Sequence, residues 1–178
     1  MRFVGIDPGM TGAVALLPAR KDVFPEFWDA PTVTVKRREY LPSEMAKILR
    51  QLLGGCFGLG DMFVALEHQQ SMGVEGRSSL ASIMRCYGLW EGILAAYEIP
   101  YCTPRPTVWK KKMLAGMGRG KQASIVRATQ LYPAAGEFLS RPKQRGKGLI
   151  FLDGRAEALL LAAYAKSQYI GVEGGTHG

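Results

Sequence analysis

The chain has 178 residues, 47% hydrophobic and 21% charged, enough for a single domain with a real core and too apolar for wholesale disorder. The formal net charge is +8, yet the segment from Ile99 to Leu152 alone holds eleven Lys or Arg against one acid, Glu137. That segment carries +10 and the remainder about −2, a focused patch of the kind that suits a polyanion such as nucleic acid.

The start, MRFVGIDPG, lacks a long apolar run, and no later segment reaches about eighteen uninterrupted apolar residues, so neither targeting to a membrane nor crossing of one is expected. Cys56, Cys86 and Cys102 are an odd number at wide spacing, which fits free thiols in a reducing compartment and neither a zinc site nor a disulfide framework.

Arg2 to Ile6 reads as a strand that ends at Asp7, followed by the turn Pro8 to Gly12 and a second strand from Ala13 to Leu17. A third short strand is expected from Val23 to Trp28, and from 29 to 40 the chain is extended around Val33 and Val35, with Lys36, Arg37 and Arg38 exposed. Pro42-Ser43-Glu44 opens a helix whose Met45, Ile48, Leu49 and Leu52 fall on one face and which Gly54-Gly55 closes. Met62 to Leu66 is a continuous apolar run, a central strand that delivers Glu67 at its carboxyl end in an exposed position.

A loop from Gln69 to Gly76 precedes a long helix, capped by Ser78 or Ser79 and running through Ala96. Its apolar surface, Leu80, Ile83, Met84, Tyr87, Leu89, Trp90, Ile93 and Leu94, is broad enough to face both a sheet and a partner subunit. A strand from Ile99 to Thr103 follows, then a short helix after Pro104-Arg105-Pro106 with Val108, Trp109, Met113 and Leu114, broken by the glycines between 116 and 120. Another helix is predicted over Gln122 to Tyr132, with Ile125, Val126, Thr129 and Tyr132 inward and Pro133 as its stop. Residues 135–148 show no period and are read as a mobile basic loop holding Arg141, Lys143, Arg145 and Lys147. The last helix spans Asp153 to Gln168. The order is that of an α/β domain over 1–170, with 171–178 as a flexible tail.

Four carboxylates stand at positions that a fold can gather. Asp7 ends a strand beside a Gly-rich turn, where an Asx-turn role is the plain alternative. Glu67 ends an apolar strand, and a carboxylate beside a core is costly unless paired or bound to metal. Asp153 and Glu157 are i, i+4 on one helix face, where like charges repel and the helix amino terminus offsets only part of the cost. Capping by Asp153 is open as a second role, but it leaves Glu157 unexplained. All four offer oxygen only, which suits Mg²⁺, with Mn²⁺ as a substitute, and a pair of such ions is the usual apparatus of phosphodiester hydrolysis. His68 is read as a supporting or solvent residue, and His177 lies in the tail.

FVGIDPGMTG, VALE, PRPTVWKKKMLAGMGRGK and LDGRAEALLLAAYAKS, in that order over residues 2–168, resemble the RuvC-like Holliday junction resolvases, including bacteriophage and organellar relatives. The resemblance implies a ribonuclease-H-like fold with a mixed five-stranded sheet flanked by helices. It also implies a homodimeric, Mg²⁺-dependent endonuclease that nicks opposed strands of a four-way DNA junction symmetrically, leaving a 5′-phosphate and a 3′-hydroxyl. The acidic tetrad carries over to Asp7, Glu67, Asp153 and Glu157 as metal ligands. The last of these departs from the family, whose members usually have Asp three residues after its partner, and the longer Glu compensates by reach.

Lys110 and Lys121 resemble the family's two basic positions near the scissile phosphate, with Lys121 assigned to catalysis. Lys111, Lys112, Arg119 and Arg127 resemble its backbone contacts. Gln69, Gln70, Met72 and Arg77 occupy the region that enters the junction centre, and the helix around Gly88 to Leu94 resembles the dimer contact.

Other nucleases of this fold that act on flaps or other branched DNA are the first alternative. A non-catalytic junction-binding protein is another, and an actin-like kinase or ATPase, suggested by the turn from Asp7 to Thr11, needs two such lobes. The expected location is the cytoplasm or nucleoid, the host cytoplasm for a phage protein, with an organelle matrix left open for a mature form.

Overall fold

The computed structural model describes residues 1–18, 20–54, 61–69, 76–118, 120, 122–144 and 146–173, without the side chains of Arg77, Ser78 and 170–173. Among the described residues there are nine short strands and five α-helices. They are β1 (Arg2–Ile6), β2 (Ala13–Leu16), β3 (Glu26–Asp29), β4 (Thr32–Thr34), β5 (Arg38–Tyr40), α1 (Pro42–Leu53), β6 (Met62–Leu66), α2 (Arg77–Ala96) and β7 (Tyr101–Cys102). After these come α3 (Pro106–Met113), α4 (Gln122–Leu131), a 3₁₀ turn (Pro133–Phe138), β8 (Ser140–Pro142), β9 (Leu149–Phe151) and α5 (Asp153–Glu173).

The main sheet has five strands in the order β3-β2-β1-β6-β7. β1 pairs antiparallel with β2 and β2 with β3, whereas β6 runs parallel to both β1 and β7. This is the mixed, helix-flanked sheet that the resemblance implies. The parallel register sets Ile6 beside Leu66, so Asp7 and Glu67, one residue beyond each, leave the sheet at the same end.

Alternation along β1 divides the core. Val4 and Ile6 pack with Met45, Leu49, Trp90 and Leu94 of α1 and α2. Phe3 faces the other way, into a layer built by α5 with α3 and α4. α1 has the predicted buried face, Met45, Ile48, Leu49 and Leu52. α5 lies directly on β1, because a Cβ at Gly5 would sit 1.9 Å from the Ala158 carbonyl oxygen, a position only hydrogen can occupy. Cys86 is a buried free thiol and Cys102 a half-buried one, and Cys56 lies outside the described residues. Among the described residues no helix is long and apolar enough to cross a membrane.

Several expectations are corrected. The third strand begins at Glu26, not Val23, and Val23 and Phe24 are exposed. The extended segment 29–40 folds back on itself as an antiparallel β4–β5 hairpin. Gly76, not a serine, precedes the first turn of α2, with no side-chain cap, and Met84 is exposed. The strand after it is only Tyr101–Cys102. α4 turns Ala123, Ser124 and Ala128 inward and leaves Val126 exposed, because small residues permit close packing on α5. Within 135–148, read as a mobile loop, the chain completes a 3₁₀ turn (Pro133–Phe138) and forms β8, which pairs antiparallel with β9 just beyond. α5 continues to Glu173, into the segment read as a tail, and 174–178 lie outside the described residues.

Candidate functional site

Three elements bring acids to the carboxyl end of β1 and β6. Asp7 follows β1, and its backbone N–H donates to the Ala13 carbonyl at 2.9 Å, closing the turn that joins β2. Glu67 follows β6 and donates its N–H to the Ile6 carbonyl. α5 contributes Asp153 and Glu157 from its first two turns. The approach of α5 depends on Gly154, whose Cβ would lie 2.3 Å from the Thr11 carbonyl oxygen and 2.9 Å from Gly12 Cα. A side chain there would push the helix start off the β1–β2 turn.

Glu67 is buried, at 6% exposure, which corrects the expectation of an exposed side chain. Burial is compensated by donors. Trp109 Nε1 donates to Oε1 at 2.9 Å and Gln69 Nε2 to Oε2 at 2.9 Å. The Lys110 ammonium lies 3.9 Å from Oε1 and donates to both oxygens of Glu157 at 2.9 Å, and Ser124 Oγ donates to Glu157 Oε1 at 3.1 Å. Lys110 thus bridges the acids of β6 and α5 from the solvent side, with its ammonium 5.1 Å from the Trp109 ring centroid.

The electrostatics of the cluster describe a shortage of positive charge. Burial, then the charges of Glu67 and Glu157, hold the Asp7 carboxyl well above its ordinary 3.8, with Lys110 pulling it down and Asp153 adding to the rise. Glu67 is likewise raised above 4.5, first by burial, against the pull of Lys110, Trp109 and Gln69. Burial works to lower Lys110, but the surrounding carboxylates, Glu157 foremost, hold it above 10.5. One lysine does not neutralise four acids.

Among the described residues, no group of three or more His, Cys, Asp or Glu side chains meets in a geometry that would hold a metal ion. The chemistry of the set nevertheless fits a hard cation. The donors are all oxygens, two of them belong to carboxyls whose ionised form burial and repulsion disfavour, and a monovalent ammonium already occupies the gap between Glu157 and Glu67.

The remaining predicted site residues divide. Lys111 is exposed on α3. Lys112 is drawn to α5 by Ser167 Oγ at 2.9 Å and by the Tyr164 ring. Arg127 donates Nε to the Met113 carbonyl at 2.9 Å and so ties α4 to the end of α3. Arg141 lies on β8, and Lys143 and Lys147 are exposed on the connection to β9. Gln70, Met72, Arg119, Lys121, Arg145 and the Arg77 side chain lie outside the described residues. His68 is half-buried, edge-on to Tyr87 with centroids 5.6 Å apart, and its Nδ1 has no hydrogen-bond partner among the described residues. The supporting roles of Trp109 and Ser124 went unread. Trp109 looked like one more apolar helix residue, and Ser124 carried no signal at all.

No protein-family model matches the chain and no curated protein matches it. Solved structures do. The fold is similar to Thermus thermophilus RuvC in complex with a Holliday junction substrate, at a TM-score of 0.58 and 15% identity over 99% of this chain and 97% of that one. A second Thermus thermophilus RuvC structure gives a TM-score of 0.55 and 16% identity over 94% of this chain and 97% of that one. At this identity the likeness is one of fold, and the fold is ribonuclease-H-like.

Proposed function

We propose that the protein is a divalent-metal-dependent endonuclease that resolves four-way DNA junctions by paired symmetric nicks. The observation that carries the reading is the gathering of Asp7, Glu67 and the Asp153–Glu157 helix start at one end of the sheet, with Lys110 against them. A RuvC fold over nearly the whole chain and the basic segment 99–152 support the choice of a branched polyanion.

In this reading Asp7, Glu67, Asp153 and Glu157 hold Mg²⁺ or Mn²⁺, which supplies activation of water and neutralisation of charge on the phosphate. The chain does the rest. Trp109 and Gln69 fix the Glu67 carboxylate by one bond to each oxygen, so its orientation is set before substrate arrives. Lys110 holds the cluster together electrostatically in the free protein and is placed to turn its ammonium to a phosphate oxygen. Lys121 offers a second cation to the developing charge. Lys111, Lys112, Arg119 and Arg127 position the backbone, and Gln70, Met72 and Arg77 belong to the segment that meets the junction centre. The part of α2 around Gly88 to Leu94 meets a second copy of the chain, which presents two sites to a two-fold junction.

A second reading has one observation on its side. Lys110 already partly neutralises Glu157 and Glu67, as a protein that binds junctions without cutting them would require. One experiment separates the two. Labelled four-way, three-way, nicked and linear DNA of matched sequence is incubated with wild type and Asp7→Asn, in Mg²⁺ and in EDTA, and cuts are mapped on each strand. Paired nicks confined to four-way DNA, abolished by EDTA and by Asp7→Asn, are expected. Binding without cutting supports the second reading, dominant cutting of linear DNA overturns the junction assignment, and undiminished cutting by Asp7→Asn overturns the site.

A further inference from the structure

Lys110 borders the candidate site on the side of α3 and α4, and a set of arginines, Arg141 of the same basic segment among them, borders it from another direction. A cavity of about 270 Å³ opens between the β4–β5 hairpin and α2, lined by Met10, Arg37, Arg38, Tyr40, Ser82 and Arg85. A neighbouring one of about 260 Å³ shares Met10 and Arg38 with it and continues past Arg141, Ile150 and Phe151 to Asp153. The two form one groove that ends at a candidate metal ligand. Glu157, one turn further along α5, lines a different cavity with Lys110 and Ser124, so the pair of acids looks onto basic surface on both sides.

Ion pairs account for part of the charge in the groove. Arg37 is matched by Glu39 at 3.1 Å, and Arg155 holds Asp29 through two bonds, at 2.6 and 2.9 Å. Three cations remain. Arg38 donates Nε to Thr32 Oγ1 at 2.8 Å, which anchors the guanidinium and leaves its terminal nitrogens for another acceptor. Arg85 and Arg141 have no side-chain partner among the described residues. Beside them β9 exposes three consecutive large apolar residues, Leu149 at 51%, Ile150 at 38% and Phe151 at 49%. Guanidinium groups interleaved with exposed aliphatic and aromatic faces match a strand of nucleic acid, which alternates phosphate with sugar and base. A second copy of the chain fits worse, since it brings a net charge of +8 against a basic groove.

We propose that this groove is a second nucleic-acid track, in which Arg38, Arg85 and Arg141 take phosphates and Ile150 and Phe151 cover a sugar or base face, so that the bound strand crosses the acids with cations before and after it. The proposal rests on the nuclease reading above and extends it to a surface on the far side of Asp153.

The test is an anisotropy titration of labelled four-way and linear DNA in EDTA, where no cutting intervenes, at several salt concentrations. It compares wild type, the double variants Arg85→Gln/Arg141→Gln and Arg85→Lys/Arg141→Lys, and Phe151→Ser, with each fold checked by circular dichroism melting. Each lost phosphate contact removes about 0.9 from the slope of log affinity against log salt, so the Gln variant should be shallower by about 1.8. Its affinity loss between 50 and 200 mM salt is then about twelvefold smaller than that of wild type. The Lys variant should keep the wild-type slope, and Phe151→Ser should bind more weakly at an unchanged slope. Wild-type binding together with an unchanged slope and affinity in the Gln variant overturns the track and leaves the nuclease reading standing. Failure of wild type to bind any DNA overturns both. Conversion of a wild-type dimer to monomer by Phe151→Ser, with DNA affinity per protomer retained, assigns the groove to a second copy and overturns the track.

Discussion

Replacing Lys110 by methionine tests the claim that this ammonium stands in for positive charge that the acids require. Methionine keeps most of the stem and its packing on Trp109 but leaves Glu157 and Glu67 without their shared cation. Removing one partner of a fully buried pair costs about 3 to 5 kcal/mol. The Glu67 and Glu157 side chains are 8% and 18% exposed, whereas that of Lys110 is 36% exposed and partly screened by water, which brings the expected loss to about 1 to 2 kcal/mol. For a chain of this size that lowers Tm by roughly 2 to 8 °C. Lys110 is held above 10.5, so its contribution is complete below that value and disappears only as pH rises through the raised one; a measurement at neutral pH captures all of it. Calorimetry in EDTA should show the loss, and added Mg²⁺ should raise the variant's Tm by more than it raises that of wild type, because the ion meets the same acids without a competing ammonium. Equal Tm values in EDTA, or a Mg²⁺ response no larger than that of wild type, would refute the placeholder argument.

Trp109→Phe removes one of the two donors to Glu67 at a buried position and should cost about 1.5 to 3 kcal/mol in urea melts, with junction binding in EDTA preserved and cleavage reduced. Asp7 and Glu67 are raised above 3.8 and 4.5 in the fold, so the folded state binds protons more tightly than the unfolded chain, and their contribution to stability falls as pH rises from those values through the raised ones. The Tm difference between Asp7→Asn and wild type in EDTA should therefore grow in favour of the variant from pH 4 to 7, and a constant difference would count against a buried, repelled Asp7. Gly5→Ala drives a methyl into the Ala158 carbonyl at 1.9 Å and the Ala162 nitrogen at 2.4 Å, both backbone, and should destabilise by on the order of 3 kcal/mol or more; a variant with wild-type Tm would mean that α5 does not sit on β1 as described.

Much of this arrangement was legible from residue order alone, and the parts that were not share a cause. β1, β6 and α1 announce themselves by apolar runs or by 3.6-residue spacing, and their ends place Asp7 and Glu67. The β4–β5 and β8–β9 hairpins have strands of three residues with mostly exposed side chains, too short for an alternation to register, and the three apolar residues of β9 are all exposed. The inward face of α4 is made of Ala and Ser, which carry little hydrophobic signal yet permit the closest approach to α5. The immediate environment of the acids is tertiary. Gln69 satisfies one Glu67 oxygen from two positions away, but Trp109 reaches the other from 42 positions away and Lys110 reaches Glu157 from 47, so most of what surrounds the acids lies far from them in the chain.

The identity of residue 157 follows from how rigidly α5 is seated. Gly5 fixes the helix against β1 and Gly154 fixes its start against the β1–β2 turn, with backbone on the opposing side at both places, so neither a shift nor a rotation of the helix is available to tune the site. Adjustment must come from the side chain. Asp153, at the helix start, looks into the arginine-lined groove, whereas Glu157, one turn deeper, has to span to α3 and α4. Its extra methylene, about 1.5 Å of reach, lets both oxygens meet Lys110 at 2.9 Å while one also accepts from Ser124. An aspartate on the same backbone would fall short of the ammonium by about that length and lose the bidentate contact. Spacing and residue type are therefore one choice: four residues along a fixed helix require the longer acid, and the longer acid is what brings the lysine of α3 to the cluster.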